Sequence, residues 1–209
     1  GALSHNNASA LADMPTAPID DELLGVAMLY ASGTTGRPKG IIRPLPKQPP
    51  AEMLPLFTFL DGLWHYREDM IYLSPAPLYH SAPTAYMLQC AAQEATLYLE
   101  PRFDAMKTLE LIASERITHA YMVPTMFHRL LEIPSSQRAS VDISSLRFIT
   151  CTGSPCPPET KARFHTEFAP VIFESYASSE TGFITNISQF FCINATVQFD
   201  VIEIHNSCA

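Results

Sequence analysis

Two stretches of the chain concentrate residue types that hold polyphosphates, bases and cations. The first is YASGTTGRPKG, residues 30–40. Ser32, Thr34 and Thr35 place three hydroxyl donors within four residues, while Gly33, Gly36 and Gly40 let the backbone take positive φ and approach a ligand closely. Successive exposed N–H groups in such a loop form a concave anion site, and Lys39 adds a mobile positive charge. The predicted chemistry is a polyphosphate cradle. The Walker arrangement is excluded, because G-x-x-x-x-G-K-[ST] cannot be laid on these glycines, and Pro38 argues against a helix opening at the basic residue.

The second stretch is FESYASSETG, residues 173–182. Tyr176 offers an aromatic face, Ser179 a hydroxyl and Glu180 a carboxylate, the combination needed for base stacking, phosphate contact and Mg²⁺ ligation. By composition alone it also reads as an ordinary Ser-rich turn after a strand. Two smaller segments lie between these stretches. His80 sits in PLYHSAP, where a lone histidine is more often structural than functional. Thr152, Gly153 and Ser154 form a small-residue turn closed by Pro155.

These segments need elements to position them. Residues 26–31 are a short apolar run that predicts a buried strand. Residues 43–55 are proline-rich and predict an irregular, stiff surface connection. An alternating pattern follows. Residues 96–99 predict a strand, and Asp104 caps a helix to about residue 115 whose Leu109, Ile112 and Ala113 share one face. Residues 119–123 predict another strand, and Pro124 opens a helix carrying Phe127, Leu130 and Leu131. Residues 147–150 are a further strand. Pro157 or Pro158 opens a helix that Pro170 stops, and 171–176 is the last clear strand. Strands separated by helices of this length predict an α/β fold with a mostly parallel sheet and flanking helices. Such sheets take ligands at the carboxyl ends of their strands, so the segments after Ala31, Thr150 and Tyr176 are the places to look.

Composition narrows the function classes. The hydrophobic fraction of 47% over 209 residues excludes wholesale disorder. Only 16% of residues are charged, against about 25% in a typical domain, which predicts surface that another segment or partner covers. A net charge of −8 leaves no basic stripe for a phosphate backbone, so a nucleic-acid partner is not expected. No apolar run approaches the roughly 20 residues of a membrane helix, and no signal peptide is visible, so the expected location is cytoplasmic, at most peripheral to a membrane. Five scattered cysteines with no C-x-x-C pair read as reduced thiols rather than a disulfide framework or zinc site. No G-x-S-x-G elbow is present, which argues against a hydrolase.

The string at 30–40 resembles the Y-x-S-G-T-T-G-x-P-K-G signature of the adenylate-forming (AMP-binding) superfamily. Residues 176–180 resemble its Y-G-x-T-E motif, with Ala177 where glycine is common and Ser179 in place of threonine. The segment 77–83 resembles a P-x-x-H stretch in which a histidine or aromatic gates the acyl pocket. Residues 152–155 resemble the G-A-A-P turn flanking adenine and substrate, with Thr152 at the usual glycine. Val123, Pro124 and Thr125 match a V-P-T that is mainly structural. The phrases KGIIRPLP, YLSPAPLYHSAP and THAYMVPTMFHRLL look most like bacterial-type fatty acyl-CoA synthetases.

The resemblance implies part of the family's large N-terminal domain, and an acid–thiol ligase using ATP, Mg²⁺ and CoA with a carboxylic acid, here a fatty acid. By residue it implies catalytic roles for Lys39, Glu180 and His80, and nucleotide contacts from Ser32, Gly33, Thr34, Thr35, Gly36, Thr152, Gly153, Ser154, Tyr176 and Ser179. Glu180 is the implied Mg²⁺ ligand. The resemblance covers about residues 20–188, so 1–188 are expected to form an incomplete adenylation domain and 189–209 an unmatched tail. The family's ribose-binding carboxylate and lysine-bearing small domain are not located in the chain. Two expectations follow: these 209 residues alone synthesise no acyl-CoA, and the alternative is a non-catalytic fragment or pseudoenzyme that at most binds nucleotide or a partner.

Overall fold

Strand–helix alternation builds a six-stranded sheet in the order β4-β3-β5-β6-β7-β8, beside a separate two-stranded hairpin, β1-β2. The computed structural model describes residues 12, 14–17, 19–31, 39–53, 55–64, 69–178 and 182–187. Within them the elements are β1 (Leu29–Ala31), β2 (Lys39–Ile41), α1 (Pro55–Trp64), β3 (Ile71–Ser74), α2 (Ser81–Ala92), β4 (Thr96–Leu99), α3 (Ala105–Ser114), β5 (His119–Met122), α4 (Pro124–Glu132), α5 (Ser135–Arg138), β6 (Phe148–Cys151), α6 (Pro158–Glu167), β7 (Ile172–Ser178) and β8 (Gly182–Ile187). The strands β4, β3, β5, β6 and β7 run parallel, and β8 is antiparallel to β7.

The helices begin where local chemistry favours it. The Asp104 carboxylate accepts the Lys107 amide at 3.1 Å, satisfying one orphan donor of α3. Pro124 and Pro158 stand in the first turns of α4 and α6, where a missing N–H costs nothing. β5 and β6 are buried at every position, as strands covered on both faces must be.

Register and pleat sort the sheet into two chemically different faces. Tyr72 pairs with His119, Tyr121 with Thr150 and Thr150 with Phe173, so with Phe148 and Ser175 these residues share one face. Leu73, Ala120, Met122, Ile149, Cys151, Ile172 and Glu174 occupy the other. On the first face Phe148 and Phe173 stack at 3.8 Å, and Trp64 of α1 and Tyr86 of α2 pack above the sheet at 4.3 Å from each other. Against the second face lie α4 and α6, joined by an edge-to-face contact of Phe127 with Phe164 at 5.0 Å. Helix α1 docks on α2 through Asp61, whose carboxylate accepts from Gln89 and Gln93, each at 2.5 Å.

Two expectations need correction. Residues 26–31 are not a buried strand: Met28 and Tyr30 are exposed, and β1 pairs only with β2 among the described residues. Only Leu29–Ala31 of the run are strand, and Val26 and Leu29 are no more than half-buried. The strand over 171–176 is not the last, since β8 follows after three residues. A link that short cannot make a parallel crossover, which fixes β8 as antiparallel.

Candidate functional site

The sheet's connections diverge between β3 and β5. From β3 the chain passes through α2 to β4 on one side, and from β5 through α4 and α5 to β6 on the other. In an open α/β sheet the crevice outside the carboxyl ends at such a switch point takes the ligand. The residues that leave β3, β5, β6 and β7 on that edge are therefore the 75–80 loop, Val123, the 152–157 turn and Tyr176 onward.

His80 ends the first of these loops. It is exposed, occupies the N-cap of α2 with extended backbone and no side-chain cap bond, and lies 4.4 Å from the exposed ring of Tyr79. The loop is tied down by the His80 amide donating to the Pro77 carbonyl at 3.2 Å and by the Thr84 hydroxyl donating to the Leu78 carbonyl.

The 152–154 turn is shaped by Gly153, whose φ of +95° is a conformation that L side chains rarely adopt. Space is not the constraint. A Cβ there would meet Val123 Cγ1 at 3.7 Å and the Tyr121 hydroxyl at 3.9 Å, both ordinary contacts. These distances seat the turn against the end of β5. Thr152 is buried, and Gly153 and Ser154 are exposed. Tyr176, 64% exposed, sits at the β-bulge within the β7–β8 pairing, just beyond the part of β7 that pairs with β6, and its ring is presented to solvent.

Lys39 lies apart from the main sheet. It is exposed, opens β2 and pairs in register with Ala31, so the hairpin pinches the two ends of the 32–38 loop together. Ser32, Gly33, Thr34, Thr35 and Gly36 lie outside the described residues, as do Ser179 and Glu180. Among the described residues no group of three or more His, Cys, Asp and Glu side chains is arranged to hold a metal ion.

Behind the edge, the two faces carry different chemistry. On the aromatic face Tyr86 lies 5.3 Å from Tyr121 and its hydroxyl pairs with Ser175. Burial pushes the Tyr86, Tyr121 and Tyr72 phenols well above their ordinary range, so all three stay neutral. On the opposite face Glu174 accepts the Cys156 amide at 2.9 Å through one oxygen and pairs with the Lys161 ammonium through the other. Sequence reading missed Glu174, Lys161 and Cys156. The signals were a carboxylate inside the apolar run VIFESY, and a lysine three residues before Phe164 on the same helix face.

Two hollows of about 530 and 510 Å³ open elsewhere, at the amino ends of β6 and β7, lined by residues such as Arg138, Asp142, Ile143 and Phe168. They are distant in topology from the switch point. The carboxyl edge, with the His80 loop, the 152–154 turn and Tyr176, is the better candidate on chemistry.

Comparison with known proteins agrees with this geometry. Residues 4–201 match the family model described as AMP-binding enzyme. Medium/long-chain-fatty-acid–CoA ligase FadD8 of Mycobacterium tuberculosis is 29% identical over 170 residues, covering 81% of this chain and 27% of that protein. Indoleacetate–CoA ligase of Aromatoleum aromaticum is 36% identical over 154 residues, covering 73% of this chain and 28% of its own length. Among solved structures, O-succinylbenzoate coenzyme A synthetase of Bacillus subtilis in complex with AMP superposes with a TM-score of 0.64 at 26% identity, over 78% of this chain and 32% of that one. The chain thus spans about a quarter to a third of the length of these relatives. With the family model spanning nearly all of its length, and a fold that superposes on a solved relative, the chain belongs to the AMP-binding enzymes, the adenylate-forming superfamily, and is similar to their fatty acyl-CoA synthetases.

Proposed function

We propose that this chain is part of the adenylation domain of an ATP-dependent acid–thiol ligase, acting on a fatty or other hydrophobic carboxylic acid. The observation that carries the reading is that the loop after β3 ending at His80, the 152–154 turn after β6 and Tyr176 in the last half of β7 all belong to the carboxyl side of one sheet. From β3 to β7 that edge spans three strand spacings, about 14 Å. An edge of that breadth suits an elongated ligand with an acyl end and a nucleoside end.

In this reading the substrate carboxylate attacks the α-phosphate of ATP and pyrophosphate leaves; the thiol of CoA then attacks the acyl carbonyl and AMP leaves. Attack on phosphorus is mainly a problem of position and charge. The amides and hydroxyls of Ser32, Gly33, Thr34, Thr35 and Gly36 hold the departing pyrophosphate, and Lys39, anchored by the hairpin, adds a cation. Tyr176 stacks on adenine, Thr152 to Ser154 flank the base and the acyl group, Ser179 contacts the α-phosphate, and His80 borders the acyl pocket. Glu180 would hold Mg²⁺, which when bound would neutralise charge at the phosphates. A cytoplasmic setting, where ATP and CoA are both available, goes with the same reading.

The test is binding of a non-hydrolysable acyl-sulfamoyl adenosine to the chain by calorimetry, with acyl groups from acetyl to palmitoyl. Saturable one-to-one binding that strengthens with acyl length is expected. A second arm measures ATP–pyrophosphate exchange in a full-length relative carrying the change equivalent to Glu180→Ala. No binding in the first arm rejects the site, and unchanged exchange in the second rejects the metal role of Glu180.

A further inference from the structure

The 152–154 turn is bracketed by two cysteines that the proposed reaction does not use. Cys151 is the last residue of β6 and Cys156 stands just before α6, with Thr152, Gly153, Ser154 and Pro155 between them. Neither is disulfide-bonded in this structure. Cys151 is wholly enclosed; Cys156 is 6% exposed and lies between the exposed Pro155 and Pro157. The chain reverses at Gly153, and Cys151 pairs in register with Glu174, whose carboxylate accepts the Cys156 amide, so both cysteines stand against the same residue of β7. Glu174 holds the Cys156 amide at 2.9 Å, which fixes the far end of the turn against β7. Lys161, paired with Glu174, brings an ammonium into the same cluster.

We infer that Cys151 and Cys156 are a dithiol modification site that closes reversibly into a disulfide across the 152–155 turn. The pairing rests on the turn's geometry and holds whether or not the turn binds nucleotide.

The two thiols are unequal, which sets the order of events. The Cys151 hydrogen bond, helped by Lys161, lowers the pKa of Cys156 against the opposing effects of burial, Glu174 and Glu159. Cys151, the donor, is pushed up by the same bond and by burial. Cys156, on the outer side, is therefore the attacking sulfur. With a low-molecular-weight disulfide as oxidant, the Cys156 thiolate bonds to one sulfur and expels one thiolate, leaving a mixed disulfide. Cys151 then bonds to the Cys156 sulfur and expels the second thiolate, which takes the Cys151 proton. Two protein thiols and one small disulfide become one protein disulfide and two small thiols, with electrons and atoms balanced. Closure requires the Cα atoms to settle about 4.4–6.8 Å apart, so the turn is held in one shape when oxidised.

One tryptic peptide, residues 148–161, carries both cysteines, which makes the test direct. The 209-residue chain is treated with oxidised glutathione, blocked with N-ethylmaleimide, digested without reduction and analysed by mass spectrometry. Peptide 148–161 is expected unlabelled and lighter by the mass of two hydrogen atoms, and dithiothreitol added before blocking is expected to restore two labels. Cys156 is expected to react at least about tenfold faster than the fully buried Cys90. In Cys151→Ser the glutathione is expected to remain trapped on Cys156, because the resolving sulfur is gone. Independent labelling of both thiols, glutathione retained on Cys156 in the unsubstituted chain, or a cross-link from either to Cys90, Cys192 or Cys208 would overturn the pairing.

Discussion

Glu174 accepts the Cys156 backbone amide at 2.9 Å while its second oxygen pairs with Lys161, so one carboxylate in β7 fastens both the 152–156 turn and helix α6 to the sheet. The Lys161 and Glu174 side chains are 8% and 18% exposed. Breaking a buried pair by removing one partner typically costs about 3–5 kcal/mol, because the survivor is left desolvated. Lys161→Ala is expected to fall at the lower end, about 3 kcal/mol, since Glu174 keeps its amide bond and some water. The double change Lys161→Met with Glu174→Gln removes both charges, keeps an acceptor for Cys156 and is expected to recover most of that loss. Urea titrations followed by circular dichroism check both; equal losses in the single and double variants would show that the pairing is not what matters.

Gly153 is the next position where the backbone dictates the residue. A side chain at φ +95° is strained whatever the space around it, at an order of 1–3 kcal/mol. Gly153→Ala is expected to lower stability by about 1–2 kcal/mol. Because the open space lets the strain be relieved by rotating the turn, acyl-adenylate binding should weaken by more than the stability loss explains. A stability loss with unchanged ligand affinity would place the turn outside the binding site.

How much of this was legible in the sequence follows from where the signals lie. Asp104, Pro124 and Pro158 announce helix starts because capping and missing-donor chemistry are local. The strand at 71–74, central to the edge, is not announced: four residues beside a proline-rich loop carry no period, and its burial comes from β4 and β5 on either side and from α2 packed on the sheet. Helix α2 is similarly hidden, with Pro83 in its first turn and a buried Gln89 whose partner Asp61 lies 28 residues away. The motif residues were found because their types are unusual at close spacing. Glu174 and Lys161 were not, because what makes them matter is a contact between a strand and a helix, which no spacing rule encodes.

Glu167 sets part of the acid limit of stability. It accepts from Arg138 Nη2 at 2.5 Å and Arg163 Nε at 3.0 Å, and the Arg138 bond first, then the Arg163 bond, holds its carboxyl below the ordinary range. A depressed folded value means the stabilisation is complete above the unfolded value of about 4.3 and is lost as pH falls through the folded one. Glu167→Gln is expected to flatten the fall in urea midpoint between about pH 5 and pH 3. Asp61 works in the opposite sense. Burial, opposed by its Gln89 and Gln93 bonds, raises its value, so its contribution is present below the unfolded value and lost as pH rises through the folded one. Asp61→Asn should therefore lessen the decline on the alkaline side of that window. Parallel pH profiles for both variants and the unsubstituted chain would reject the assignment.

Tyr176 gives the sharpest test of the nucleotide site, because its ring is exposed where a buried ring would be expected to serve the core. At 64% exposed at the bulge within the β7–β8 pairing, it contributes little apolar burial, so Tyr176→Ala should leave the urea midpoint nearly unchanged. Stacking of an aromatic on a base is worth about 1–3 kcal/mol, so the same change should weaken acyl-sulfamoyl adenosine binding by about tenfold or more. Tyr176→Phe keeps the face and loses only the hydroxyl, so it should retain most of the affinity. The contrast separates stacking from hydrogen bonding: if Phe is as damaging as Ala, the hydroxyl is the contact. Affinity unchanged in both variants would remove Tyr176 from the site and leave its exposure unexplained by nucleotide binding.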